Sequence, residues 1–168
     1  MLRVTDDSGF LAIVVPAAYE GFVDSDWKLD HLFRHFVAQM SRRSLLLWGT
    51  GLEGDWRVDV RLGHSESHGF REVVGLIHVV GGNVLVTNFE SLTMAAQFAD
   101  VQLPEMHQQD LLIKLPDGAY DCRVIQMFDP SNSESACADE ADFVLEFTHA
   151  KGSLESWAGI PWLDSPIA

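Results

Sequence analysis

Polar and apolar residues alternate most regularly over Trp56–Leu62, where Trp56, Val58, Val60 and Leu62 interleave with Arg57, Asp59 and Arg61. Successive strand side chains point to opposite faces, so this pattern predicts a half-buried strand with those four residues turned inward. Phe143, Leu145 and Phe147 alternate in the same way with Val144, Glu146 and Thr148. Leu111–Phe128 holds two such runs around Pro116-Asp117-Gly118. Proline presets one turn position and glycine takes the left-handed one, so the segment predicts an antiparallel hairpin at the centre of the fold. Past Val124 the alternation lapses, since Ile125, Met127 and Phe128 are all apolar, which predicts burial on both faces or a bulge. Phe70–Val80 and Val84–Phe89 flank Gly81-Gly82-Asn83 and predict a second hairpin. The first arm is apolar on both faces (Val73, Ile77 and Val79 against Val74, Leu76 and Val80), which predicts a central strand. Phe10–Val15 and Leu45–Trp48 are compact apolar runs of strand length.

One segment has the helical period. Leu29, Leu32, Phe33, Phe36, Val37 and Met40 recur every three to four residues and share one face of a helix spanning about 27–42. Asp30, His31, Arg34, His35 and Ala38 take the other face, Asp24-Ser25-Asp26 offers N-cap oxygens, and Arg42-Arg43 suits the negative end of the dipole. Ser91–Ala99 reads either as a short helix or as an irregular crossover. About eight strands with one amphipathic helix, and no repeated strand–helix alternation, predict a mainly β fold: an antiparallel β-sandwich or a strongly curved sheet. A length of 168 residues suits a single domain, 1–168, with a tail over 152–168 docked on its body through Trp157 and Trp162.

Charge changes this picture more than composition does. The net charge is -14, and it is uneven: residues 1–84 carry 8 basic and 11 acidic side chains, residues 85–168 carry 3 and 14. A half at -11 repels phosphate backbones, so direct nucleic-acid binding is not expected and a basic protein partner is. Ordinary solvation is the plainer account of the same charge. The N-terminal residues show no basic stretch followed by a long apolar one, and the longest mostly apolar run, Gly9–Ala18, is too short to span a bilayer. Two cysteines, Cys122 and Cys137, are too few for a disulfide framework. A reduced cytoplasmic setting without a membrane partner follows as the expectation.

Catalytic and cofactor signals are weak. Gly49-Thr50-Gly51-Leu52-Glu53-Gly54 matches GxGxxG, but a strand follows it where a dinucleotide fold needs a helix, and Glu53 repels phosphate. The stretch predicts a flexible hairpin loop, and no cofactor is expected. His31 and His35 lie four apart on the helix, and His64 and His68 four apart in a loop. As an alternative to no metal at all, these four histidines make a metal-binding protein or metalloenzyme conceivable, although HExxH is absent. His78, between apolar neighbours in a strand, is expected to be a hydrogen-bonded core residue. Exposed Trp157 and Trp162 allow a second alternative, a sandwich that binds a small ligand or carbohydrate.

Glu134, Asp139, Glu140 and Asp142 gather in one loop between two predicted strands, where rigid elements display them to a basic cleft as phosphate mimics. They are the expected partner-binding residues. The order of features points the same way. An early strand, Asp26-Trp27 before a helix, Ile77-His78-Val79, a Gly-Asn turn before Val84–Val86, and Leu115-Pro116-Asp117-Gly118-Ala119-Tyr120 resemble the competence protein J family. The small acidic character is similar to that of immunity proteins of bacterial toxin systems. The resemblance implies a small acidic bacterial β-sandwich protein that inhibits or neutralises a partner nuclease or toxin without being an enzyme, and it carries over no catalytic residue.

Overall fold

Two stacked sheets organise the chain in the computed structural model, which describes residues 1–132 and 139–163. The strands are β1 (Leu2–Asp6), β2 (Phe10–Val14), β3 (Leu45–Gly49), β4 (Gly54–Leu62), β5 (Arg71–Val79), β6 (Asn83–Asn88), β7 (Leu112–Lys114), β8 (Gly118–Gln126) and β9 (Phe143–His149). One sheet has the order β1-β4-β9-β8-β5, the other β3-β2-β6-β7. Every pairing is antiparallel except β4 with β9, which is parallel. The mainly β sandwich expected from the alternation is therefore present, with helix α1 (Leu29–Ser41) between β2 and β3. A second helix, α2 (Phe89–Gln97), and a 3-10 turn (Met106–Leu111) lie between β6 and β7. Among the described residues no helix is long and apolar enough to cross a membrane.

Both helices are inserted between strands of the four-stranded sheet, and they cover its outer face. Leu32, Phe36 and Met40 of α1 and Leu92 and Ala96 of α2 pack on Ala12, Val14, Leu45, Leu47 and Leu85. The opposite face of that sheet supplies Leu11, Ile13, Leu46, Trp48 and Val86 to the layer between the sheets. There they meet Val58, Cys122, Val124, Phe143, Leu145 and Phe147 of the five-stranded sheet. A sheet buried on both faces needs continuous apolar strands, and one with a wet outer face needs alternation. This accounts for the unbroken runs in β2 and β3 and the alternation in β4, whereas the outward Val144 and Glu146 of β9 are buried as well.

The short turns behave differently from expectation. β7 and β8 do not form a hairpin: β7 pairs with β6, while β8 pairs with β5 and β9 in the other sheet. The Gly81-Gly82-Asn83 turn likewise carries the chain from β5 in one sheet to β6 in the other. So does the glycine-rich loop between β3 and β4. Turn chemistry specifies a tight reversal, and the reversal is present; whether the next strand bonds to its predecessor or lies across the core depends on which neighbours fill the adjacent positions. The two crossings brace each other, because Gly82 N donates to Asp117 Oδ1 at 2.7 Å and Leu115 N to Gly82 O at 3.1 Å. Gly81 and Gly82 have φ of +77° and +72°, which side-chain-bearing residues rarely adopt.

Several local expectations are corrected. β5 is an edge strand, not a central one. Its open side is shielded by the turn after α1, where His78 N donates to Arg43 O, and by the tail, where Trp157 Nε1 donates to Val74 O. His78 itself points outward and is exposed, since its position in β5 falls on the solvent side of the pleat. Leu62, at the end of β4 beyond the cover of the other sheet, is 69% exposed. The N-cap of α1 is Lys28 with no side-chain bond, while Asp24 Oδ1 accepts from Asp26 N in a local turn. His35 is half-buried beside Tyr19 rather than exposed, because the segment before α1 folds back over that flank.

Candidate partner-binding surface

The acidic segment leads into β9. Asp142, at its end, lies against β4. Its Oδ2 accepts from Arg57 N at 2.8 Å and Arg57 Nε at 3.0 Å, and its Oδ1 from Arg57 Nη2 at 2.9 Å. Both side chains are only about 15% exposed. The backbone repeats the tie, with Asp142 N donating to Arg57 O and Met127 N to Asp142 O. Asp142 is therefore an anchor whose charge is balanced in place. Asp139 and Glu140 are exposed just before it. Glu134, grouped with them on sequence, lies outside the described residues. Asp129 opens the loop; the hydroxyl and amide of Ser131 donate to it and hold its carboxyl below the usual range.

A second polar assembly occupies the outer face of the five-stranded sheet. Arg123 of β8 reaches Glu72 Oε2 on β5 at 2.6 Å and Glu146 Oε2 on β9 at 3.0 Å. The other donors of its two Nη groups go to the carbonyls of Ser65 and Ser67, and Ser65 Oγ donates to Glu146 Oε1. The 63–69 loop is thereby laid over the sheet. Burial opposes ionisation of the fully buried Glu146 side chain, but the Ser65 hydroxyl and the Arg123 guanidinium outweigh it and hold its carboxyl below the usual range. The alternation placed Arg123 and Glu146 on this face; their adjacency follows only from the β8–β9 register, which sets them opposite one another.

His64 and His68 belong to this loop. His64 Nδ1 lies 3.6 Å from Glu146 Oε2, and His68 Nδ1 lies 4.0 Å from Glu72 Oε2. His31 and His35 sit on α1, which covers the other sheet, so the two histidine pairs stand on different elements. Among the described residues no three His, Cys, Asp or Glu side chains are grouped to hold a metal ion. Cys122 is a free, fully buried thiol, and burial pushes its proton affinity up. The tail tryptophans are half-buried. Trp157 packs on both apolar clusters, and Trp162 carries the Arg71 guanidinium on one face at 4.5 Å.

One apolar concavity of about 520 Å³ opens at the end of the sandwich. Phe10 of β2, Phe33 of α1 and Phe89 of α2 form its floor, with ring centroids 5.3 to 6.4 Å apart. Leu29, Leu52, Glu53, Trp162 and Leu163 are among the residues of its walls. Beneath one lip, the buried Asp6 carboxylate laces two turns together: Oδ1 accepts from Ser8 N and Gly9 N, and Oδ2 from Thr50 Oγ1 and Trp56 Nε1. Five separate segments build this cavity, and no local motif in the sequence announces it.

These features define a class: a small two-sheet sandwich with helices on one outer face and charge networks on the other. Known structures share the fold. The chain is similar to a solved structure described as crocagin biosynthetic gene J, with a TM-score of 0.56, 13% identity, and coverage of 88% of this chain and 93% of that one. It is similar also to ComJ from Bacillus subtilis, described as an inhibitor of the DNA-degrading activity of NucA, with a TM-score of 0.55, 10% identity, and coverage of 89% and 94%. The resemblance to competence protein J seen in the sequence is thus present in the fold. No protein-family model matches the chain, and no curated protein sequence does either.

Proposed function

We propose that this chain is a non-enzymatic acidic binding protein that inhibits or neutralises a basic protein, with a nuclease or toxin as the partner class and the cytoplasm as its site of action. The observation that carries the reading lies just before β9: Asp142 is spent on its pairing with Arg57, which leaves Asp139 and Glu140 exposed beside an anchored residue. Glu134 belongs to the same proposed surface on sequence grounds. The net charge of -14 favours encounter with a cationic surface and disfavours polyanions. The fold likeness to an inhibitor of a DNA-degrading enzyme supports the direction of the reading.

The test starts from the source cell. Proteins captured on the immobilised chain at low ionic strength and released at high ionic strength are identified, and any nuclease among them is purified and assayed on DNA. The wild-type chain is expected to suppress its activity. A triple variant, Glu134→Lys, Asp139→Lys and Glu140→Lys, is expected to suppress it at least about tenfold less well, since close charge reversal at a desolvated contact costs more than 1.4 kcal/mol. Asp142 is left intact in this variant because it holds the loop. Equal inhibition by the triple variant removes the loop from the interface, and the absence of inhibition of every captured basic protein defeats the reading itself.

A further inference from the structure

The apolar cavity exceeds a second apolar concavity of about 380 Å³ lined by Leu62, Pro116, Tyr120 and Phe147. Leu29 is 40% exposed and Leu52 51% exposed, on opposite sides of an aromatic floor made by Phe10, Phe33 and Phe89. Contiguous exposed apolar surface with a shaped floor marks an interaction site. Its lips are unequal in charge. On one side, the Asp7–Gly9 turn and the Gly51–Glu53 turn are held together by Asp6 and by Thr50 N donating to Gly9 O. This sets the exposed Asp7 and Glu53 on adjoining turns. Glu90, at the start of α2, accepts from Ser8 Oγ with one oxygen and keeps the other buried, so it pins the Asp7–Gly9 turn from beneath. The nearby cations are Lys28, beside Leu29 on the opposite lip, and Arg71, whose guanidinium lies on Trp162 and whose Nε donates to Gln126 Oε1.

We propose that this cavity is an anchor pocket for a basic protein segment, taking one aromatic or long aliphatic side chain while flanking Lys or Arg residues of that segment lie along the exposed Asp7 and Glu53 of the lip. The proposal rests on the inhibitory reading for the identity of the partner and deepens it by naming a second contact. A cavity of about 520 Å³ accepts one large side chain but not a whole interface, which needs roughly 800 Å² from each partner. The arrangement of one desolvated anchor inside a charged rim is how a few residues dominate binding while the surround excludes water. The acidic lip selects against acidic and neutral segments that would otherwise fill an apolar pocket.

The probe is a labelled synthetic peptide, Lys-Lys-Phe-Leu-Lys-Lys, titrated into the full chain by fluorescence anisotropy, with amide chemical shifts recorded in parallel. Binding is expected to weaken with salt, to fall about tenfold or more when the peptide's Phe-Leu becomes Ala-Ala, and to vanish when its lysines become glutamates. Leu52→Glu and Leu29→Glu, both at exposed positions, are each expected to cause a similar loss with an unchanged circular dichroism spectrum. Shifts centred away from Phe10, Phe33 and Phe89, or full affinity in both Glu variants, overturn the proposal. So does probe binding that appears only after deletion of residues 164–168, which means that the chain's own C-terminal residues fill the pocket. A concentration-dependent dimer abolished by Leu52→Glu overturns it as well, in favour of a second copy as occupant. The two readings fail separately. If the captured nuclease is inhibited equally by wild type and Leu52→Glu, the pocket is refuted and inhibition stands. If nothing is inhibited, the peptide titration still decides the pocket.

Discussion

Replacing Asp142 by alanine separates the anchoring acid from the displayed ones in the same segment. The substitution removes the shared acceptor of Arg57 N, Nε and Nη2, three bonds of 2.8 to 3.0 Å, at a site about 15% exposed. Hydrogen bonds to charged groups contribute about 1.5–3 kcal/mol each and are not additive, and breaking a largely buried pair costs about 3–5 kcal/mol. About 3 kcal/mol is the expected loss, at the low end because the pair keeps some solvent contact. With a urea m-value of about 2 kcal/mol/M for a chain of this size, the unfolding midpoint should fall by about 1.5 M. Asp139→Lys and Glu140→Lys, at exposed positions without a bonded partner to lose, should each stay within about 0.5 kcal/mol, or about 0.25 M. Asp142→Asn keeps one acceptor oxygen and the side-chain shape, and should fall between. The assay is equilibrium urea unfolding followed by tryptophan fluorescence and by circular dichroism, with coincident transitions as the control for two-state behaviour. If Asp142→Ala shifts the midpoint by less than about 0.3 M, no more than the exposed pair, the anchoring role is refuted.

The remaining predictions concern the tail, the buried thiol and pH. A Cβ on Gly49 would collide with the Trp162 carbonyl oxygen, so Gly49→Ala should displace the tail at a cost of about 1–3 kcal/mol and raise acrylamide quenching of the tryptophans; unchanged quenching counts against the docked position. In a Cys137→Ser background, Cys122 should resist Ellman's reagent until urea unfolds the chain, because burial keeps the thiol protonated and out of reach; rapid labelling of the native protein would falsify its placement. Burial lowers the proton affinity of His35, whose Nε2 has no hydrogen-bond partner. The unfolded chain then takes up that proton first, so this contribution to stability is complete above about pH 6.5 and is lost as pH falls through the lower folded value. His35→Leu should flatten the urea midpoint between pH 7 and pH 5, and equal slopes for variant and wild type would remove His35 as the cause. Glu146, also lowered, has the same sign at more acid pH: its contribution is present above the ordinary glutamate range and is lost as pH falls through its folded value.

The sequence by itself determined the elements and their class. Period-two alternation located β4 and β9, continuous apolar runs located β2 and β3, and the i, i+3, i+4 pattern located α1 with Leu32, Phe36 and Met40 on its buried face. These are local consequences of backbone geometry, so a linear pattern suffices to find them. The acidic excess was equally legible, because charge needs no fold to be counted. Only the tertiary structure decided how the strands are paired. The same Pro-Asp-Gly and Gly-Gly-Asn turns serve a hairpin or a crossing between sheets, and the choice was made by β9 inserting between β4 and β8 and by β6 pairing with β2. Register also turned residues of equal formal charge to different ends. Asp142 meets Arg57 from 85 positions away and becomes an anchor, while Asp139, three residues earlier, faces water. The apolar pocket was out of reach for the same reason: Phe10, Phe33, Leu52, Phe89 and Trp162 each look like ordinary core or loop residues until five segments converge at one end of the sandwich.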